Sequence, residues 1–178
     1  MKIVFAALFF ASSALAQGNA ALTLTQAACG PPDARFDAQR SASRTTAQPE
    51  PGKAMVYVVE DYKQAPGEIT NPTLRVGLDG AWKGATRASS YLFFSVDPGE
   101  HHLCTNWQSS LKRLSRLVAF AHVAAEPGRT YYFRARITYS SRGGEGSAGA
   151  TLDLESVDPD EGHFLVASFR LSNWDPKK

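Results

Sequence analysis

"RTYYFRARITYS", residues 129 to 140, is the stretch whose reading decides the fold. Tyr131, Phe133, Ala135, Ile137 and Tyr139 fall on one side of a period-two alternation, and Tyr132, Arg134, Arg136 and Thr138 on the other. Successive side chains of extended backbone point to opposite faces, so this pattern predicts a half-buried antiparallel strand. Pro127-Gly128 stands just before it. Proline presets φ at the first central position of a type II turn, and glycine supplies the positive φ at the second.

The same dipeptide recurs at 51–52, 66–67 and 98–99, and three of the four copies precede a predicted strand. "AMVYVVE" (54 to 60) is a nearly unbroken apolar, β-branched run, as expected of a central strand covered on both faces. "TLRVGLD" (73 to 79) alternates, and Asp79-Gly80 is a tight-hairpin signal leading into "AWKGATR", short and near an edge. "SYLFFSV" (90 to 96), "HHLCTNW" (101 to 107), "LVAFAHVAA" (117 to 125) and "ATLDLES" (150 to 156) complete the series, the last returning after the glycine-rich loop at 143 to 149. About seven or eight strands at this spacing predict an all-β fold, an antiparallel β-sandwich or partly open barrel. Asp158 as N-cap, Pro159 at the first helical position and acids in the first turn predict a short C-terminal helix over about 159 to 168. A final strand over 163 to 171 is the alternative.

The other end of the chain addresses compartment. Met1-Lys2 opens with a positive charge, Ile3 to Leu15 is apolar, and Ala14-Leu15-Ala16 fits the small-x-small rule for signal peptidase before Gln17. The apolar run is shorter than the roughly 20 residues a bilayer span needs, so no transmembrane span is expected after processing. Ala27-Ala28-Cys29 has the small residues of a lipoprotein site, but Gln26 stands where an aliphatic residue belongs, so cleavage after Ala16 is the stronger signal than lipid anchoring at Cys29. The expected organisation is a signal peptide over 1–16, an N-terminal segment and linker over 17–52, and a β-sandwich domain over 53–178, exported to the periplasm or beyond. Residues 30 to 52 read as linker because Phe36 is their only large apolar side chain.

An exported chain with two cysteines, Cys29 and Cys104, is expected to pair them. Composition is that of a globular domain, with 43% hydrophobic and 20% charged residues. The net charge of +2 is too small for a nucleic-acid footprint.

Candidate chemistry is sparse, and no cofactor is expected. His101 and His102 are strand neighbours that point to opposite faces, so they cannot share one metal. His122 lies on a nearby strand and could meet either; a metal site would use His101 and His122, completed by Asp97, Glu100 or Glu126. The bland alternative has His101 packed near the turn and His102 facing solvent. The acids at 155 to 162 do not fit a calcium loop, since Gly162 falls at position five and Phe169 at position twelve. "SSLKRLSRL" (109 to 117) could form a basic amphipathic turn or a solvated crossing. Trp82 and Trp107, with Tyr62 and Tyr132, are candidates for a sugar- or protein-binding face; core packing accounts for such aromatics equally well.

"GKAMVYVVED", "LRVGLDGAWKGATRASSYLFFSVDPGEHHL" and "EPGRTYYFRARI", taken in that order, resemble a bacterial family of exported domains of unknown function, domain of unknown function 2846. The resemblance covers about residues 52 to 165. It implies an all-β sandwich in the cell envelope with no established activity, and it supplies no catalytic residue. Many members look like lipoproteins, from which this chain departs. The expected function is therefore an exported envelope module, non-enzymatic, in a binding or structural role, whose partner is an envelope protein or polysaccharide. A metal-binding domain using His101 and His122, or a carbohydrate-binding module built on the aromatics, are the alternatives.

Overall fold

The computed structural model describes residues 28–63, 71–140 and 149–177. The leader at 1–16, the Pro66-Gly67 turn and most of the glycine-rich loop lie outside the described residues. The chain is a β-sandwich. Its elements are β1 (Phe36–Arg40), β2 (Ala54–Glu60), β3 (Thr73–Leu78), β4 (Ala81–Arg87), β5 (Ser90–Val96), β6 (Gly99–Trp107), α1 (Lys112–Ser115), β7 (Val118–Ala125), β8 (Thr130–Ser140), β9 (Gly149–Val157), α2 (Pro159–Ser168) and β10 (Arg170–Pro176). One sheet runs β1-β10-β5-β2-β8-β9 and the other β4-β3-β6-β7.

The sandwich is as expected, but its larger sheet is mixed. β2 pairs with β8 in parallel, and β10 with β5 in parallel over a short stretch; the other pairings are antiparallel. Between β2 and β8 the chain lays down the whole smaller sheet, so the two strands meet by a crossover and not by a hairpin.

Strand β2 shows why its sequence is apolar throughout. Ala54, Val56 and Val58 face the core between the sheets, with Leu74, Val76, Leu103, Trp107 and Phe133. Met55, Tyr57 and Val59 face the opposite way into a second cluster closed by Leu165 and Val166 of α2. On β8, Phe133, Ala135 and Ile137 join the inter-sheet core while Tyr132 packs under α2. A side chain at Gly162 would run into the Tyr132 ring, so the helix can lie this close to the sheet only with glycine there. Arg134, on the outer face of β8, pairs with Glu155 on β9 and with Glu161 of α2, tying the helix to the sheet.

The C-terminal helix forms as expected, and the alternative strand over 163 to 171 does not: α2 ends at Ser168, and a different strand, β10, begins at Arg170. The Asp158 carboxylate accepts from the N–H groups of Asp160 and Glu161 at 2.9 and 3.0 Å, with Pro159 beginning the helix. Asp158→Ala removes that cap and is expected to lower stability by about 1 kcal/mol, measured by chemical denaturation; an unchanged midpoint would assign the cap no role.

The linker reading of residues 30–52 needs correction. Phe36–Arg40 forms β1 and pairs along β10 from Phe36↔Pro176 to Arg40↔Ser172. Phe36 and Ala38 are buried against Ala85 and Trp174. Farther on, the Tyr57 hydroxyl donates to Ala47 O at 3.0 Å and accepts from Ala47 N at 2.8 Å, while Tyr91 donates to Thr45 O at 2.8 Å. Backbone hydrogen bonds hold this segment, and backbone pairing leaves no trace in composition.

Cys29 and Cys104 form a disulfide, with Cα atoms 5.0 Å apart and a separation of 75 positions along the chain. Cys104 sits on the outer face of the smaller sheet, so the bond lays the N-terminal segment across that face.

Candidate functional site

The residues predicted as sites separate cleanly once the register of β6 and β7 is known. His102, not His101, stands opposite His122, with ring centroids 5.5 Å apart on the outer face. The His122 Nε2 lies against the Glu100 carboxylate. His101 points to the other side: its Nδ1 lies 2.6 Å from Asp79 Oδ2 and its Nε2 2.7 Å from the Asp97 carbonyl oxygen. Burial lowers the His101 pKa, but these acceptors outweigh it and hold the ring above its ordinary value. Both ring nitrogens are thus committed to a turn that they brace. The expected His101–His122 metal pair is not brought together, because directly opposed residues share a face and His101 is opposed to Val123. Among the described residues no three of His, Cys, Asp and Glu group closely enough to hold a metal.

The aromatic face also requires correction. Trp107 is 2% exposed and belongs to the inter-sheet core, and Tyr62 and Tyr132 are buried too. Trp107 shares its strand parity with Leu103, which points inward. Trp82 is half-buried on the outer side, where its indole N–H donates to Pro31 O at 2.8 Å.

What the structure assembles instead is a cleft where the N-terminal segment crosses the smaller sheet. The absence of a side chain at Gly77 lets the Cys29 backbone press onto β3, since a Cβ there would strike the Cys29 carbonyl group. Gln108 brackets Phe36 by accepting from its N–H and donating to its carbonyl oxygen, both at 2.8 Å. Arg75 sits beneath the crossing segment and is 6% exposed. Its Nη1 donates to Ala34 O at 2.6 Å and Pro32 O at 3.1 Å, its Nε donates to Asn106 Oδ1 at 3.0 Å, and its Nη2 donates to that same oxygen. The guanidinium lies 4.4 Å from the centroid of the Trp82 ring.

All of these acceptors are neutral, and among the described residues no carboxylate forms an ion pair with Arg75. Burial, and then the charge of Arg35, push its pKa down to about 10, with Asp33 acting in the opposite sense. The result is a desolvated cation at the floor of a cleft of about 420 Å³. Trp82 and Val118 supply apolar wall, Gln108 supplies polar wall, and Arg35 and Arg116 stand at the rim. Trp82 and Trp107 thus both adjoin this cleft, but the Trp107 ring belongs to the inter-sheet core and the two rings form no common face.

Arg75 was missed by sequence reasoning because an arginine on the polar side of an alternating strand reads as solvated. Its parity with Gly77, and the pairing of β3 with Cys104 on β6, become informative only with the register Gly77↔Cys104 and Arg75↔Asn106 in hand.

A second group was also missed. Glu60 ends β2 on the inward parity of Val56 and Val58 and is 1% exposed. Neither carboxyl oxygen has a partner in hydrogen-bond geometry. The Thr86 hydroxyl and the Ala88 N–H, which favour its charged form, are engaged with Leu74 O at 3.4 Å and Pro72 O at 3.1 Å. Burial dominates and pushes the Glu60 pKa up to about 8, against the weaker pull of Thr86, Ala88 and Arg87.

No family model matches the chain, and no curated protein matches it.

Proposed function

We propose that this chain is an exported module of the bacterial cell envelope, non-enzymatic, whose N-terminal segment is clasped to a β-sandwich to form a binding cleft. The observation that carries this reading is Arg75, a buried cation held among neutral oxygens at the floor of an open cleft. Interiors rarely keep a charge without an opposite one, and a cleft with a few convergent polar groups is the usual form of a small-ligand site.

Three further observations support export. The leader over 1–16 has the signal-peptide pattern, the Cys29–Cys104 bond suits an oxidising compartment, and the ordered motifs resemble the exported family of unknown function 2846. Among the described residues no helix is long and apolar enough to cross a membrane. A sulfur bonded to Cys104 cannot also carry a thioether-linked lipid, which favours cleavage at Gln17 over anchoring at Cys29.

The test is chemical. The purified mature protein is offered glycan, peptide and ester substrates, and the expected result is no turnover of any of them. Turnover that a single side-chain substitution abolishes would overturn the non-enzymatic reading.

A further inference from the structure

We propose that the cleft beside the disulfide binds a small organic carboxylate, with the acid group between Arg75 and Arg116 and an apolar body against Val118 and the edge of Trp82. The inference rests on the binding-module reading and names its ligand class.

The donors come first. A guanidinium carries five N–H groups. Four hydrogen bonds from Arg75 are spent on Asn106, Pro32 and Ala34, which leaves one Nη2–H without a partner. Arg116 is exposed at the rim, and its side chain makes no hydrogen bond or ion pair among the described residues. Arg35 is also at the rim, with its Nη1 turned back to Pro32 O and Ala34 O at 3.0 Å. Three cations therefore converge on one cleft, offset locally by Asp33, and the innermost is desolvated. A hydrogen bond between charged groups is stronger than a neutral one, and more so out of water.

The walls decide between a bare anion and an organic one. Val118, Trp82 and the half-cystine at Cys29 give the cleft apolar lining beside the polar groups of Asn106 and Gln108. Inorganic phosphate would leave those walls wet, while a carboxylate on a ring or chain would cover them. At about 420 Å³ the cleft falls in the size range of small-molecule sites and is too small for a folded partner. The faces of Trp82 are not offered for stacking, since Arg75 lies over one and Gly30 packs tightly against the ring.

The experiment is titration of the mature, oxidised protein with benzoate, glucuronate, benzyl alcohol and inorganic phosphate, followed by amide chemical shifts and tryptophan fluorescence. Saturable binding of benzoate or glucuronate is expected with a dissociation constant of about 1 mM or tighter. Shifts should concentrate at residues 75, 82, 108 and 116. A preference for benzoate assigns the apolar acid as the better model, and a preference for glucuronate assigns an acidic sugar; either supports the proposal. Arg116→Gln should weaken the bound acid about tenfold without changing the melting temperature. Arg75→Lys, which keeps the charge but loses the fork that grips Asn106, should weaken it as well. Benzyl alcohol binding as tightly as benzoate, phosphate binding as tightly as either acid, or no saturable shift at those residues would each overturn it. Loss of this ligand class in a protein that still turns over no substrate removes the carboxylate inference alone; turnover removes the module reading beneath it.

Discussion

Replacing Cys29 and Cys104 together with serine should lower the free energy of unfolding by about 4 kcal/mol, the largest single loss expected anywhere in the molecule. The bond joins residues 75 apart, so in the reduced unfolded chain a long loop is set free. In the chain-entropy account that freedom, and not any contact in the native state, supplies most of the difference. The native clasp keeps its other fastenings, since Trp82, Arg75 and Gln108 still hold Pro31, Ala34 and Phe36. The sandwich should consequently remain folded at room temperature, with its melting temperature lowered by roughly 10–15 °C. Dithiothreitol added to the unmodified protein should reproduce the shift, which separates loss of the bond from any effect of the serines. A change under about 1 kcal/mol in both experiments would mean that the unfolded chain is already constrained between these positions.

The second large effect is a pH dependence that runs against the usual direction for a carboxyl group. Glu60 has a folded pKa of about 8 against an ordinary value of 4.5. Between those values the unfolded chain has released a proton that the folded chain still holds, so stability falls as pH rises. The contribution is whole below pH 4.5, declines through the window up to about 8, and changes no further above it. One pKa unit corresponds to about 1.4 kcal/mol, which sets a ceiling of about 5 kcal/mol on the loss across that window. A few kcal/mol is the expected figure, because a buried charge draws in water or opens its surroundings before the full penalty is met. The adjacent turn is already strained: Ala88 and Ser89 have φ of 26° and 52°, a region that non-glycine residues adopt reluctantly.

Glu60→Gln should remove most of that slope. Guanidinium denaturation at pH 5 and pH 8 should give a marked difference for the parent and a small one for the variant, with the variant the more stable at pH 8. His101 contributes in the same sense, since its raised pKa adds stability that is lost as pH rises through the folded value. Its ring is partly exposed, and the effect should be minor. Asp79 works the other way, with a depressed pKa whose stability is lost only on acidification. Equal slopes in parent and variant would show that Glu60 is solvated in solution.

How much of this was legible depended on whether the deciding physics is local. The alternation of β8, the unbroken apolar run of β2 and the Asp158 cap are all written in adjacent residues, and each element stands, although β8 is antiparallel only to β9 and runs parallel to β2. Strand β1 was not legible, because Phe36–Arg40 is a strand by virtue of β10, some 130 residues later, whose backbone it pairs with. The parallel meeting of β2 and β8 is likewise a property of the whole crossover. The histidine pair failed by one residue. Which of His101 and His102 faces His122 is set by the register across the connection holding α1, and a shift of one exchanges the faces.

The placement of Trp107 is written in the local parity of β6. Trp107 shares parity with Leu103, while Cys104 alternates with both, so the disulfide and the tryptophan had to lie on opposite faces of β6. Arg75 and Glu60 are different. Each occupies a strand position whose residue type gives no hint of burial, and each becomes notable only when a distant segment closes over it: residues 29 to 35 over Arg75, and the β4–β5 turn over Glu60.

The most direct measurement of the central claim is the intact mass of exported protein, treated with iodoacetamide before and after reduction. An N-terminus at Gln17, no alkylation before reduction and two adducts after it, at Cys29 and Cys104, is the predicted result. Two adducts on unreduced material, or a lipid carried on Cys29, would contradict a clasp made of these two sulfurs.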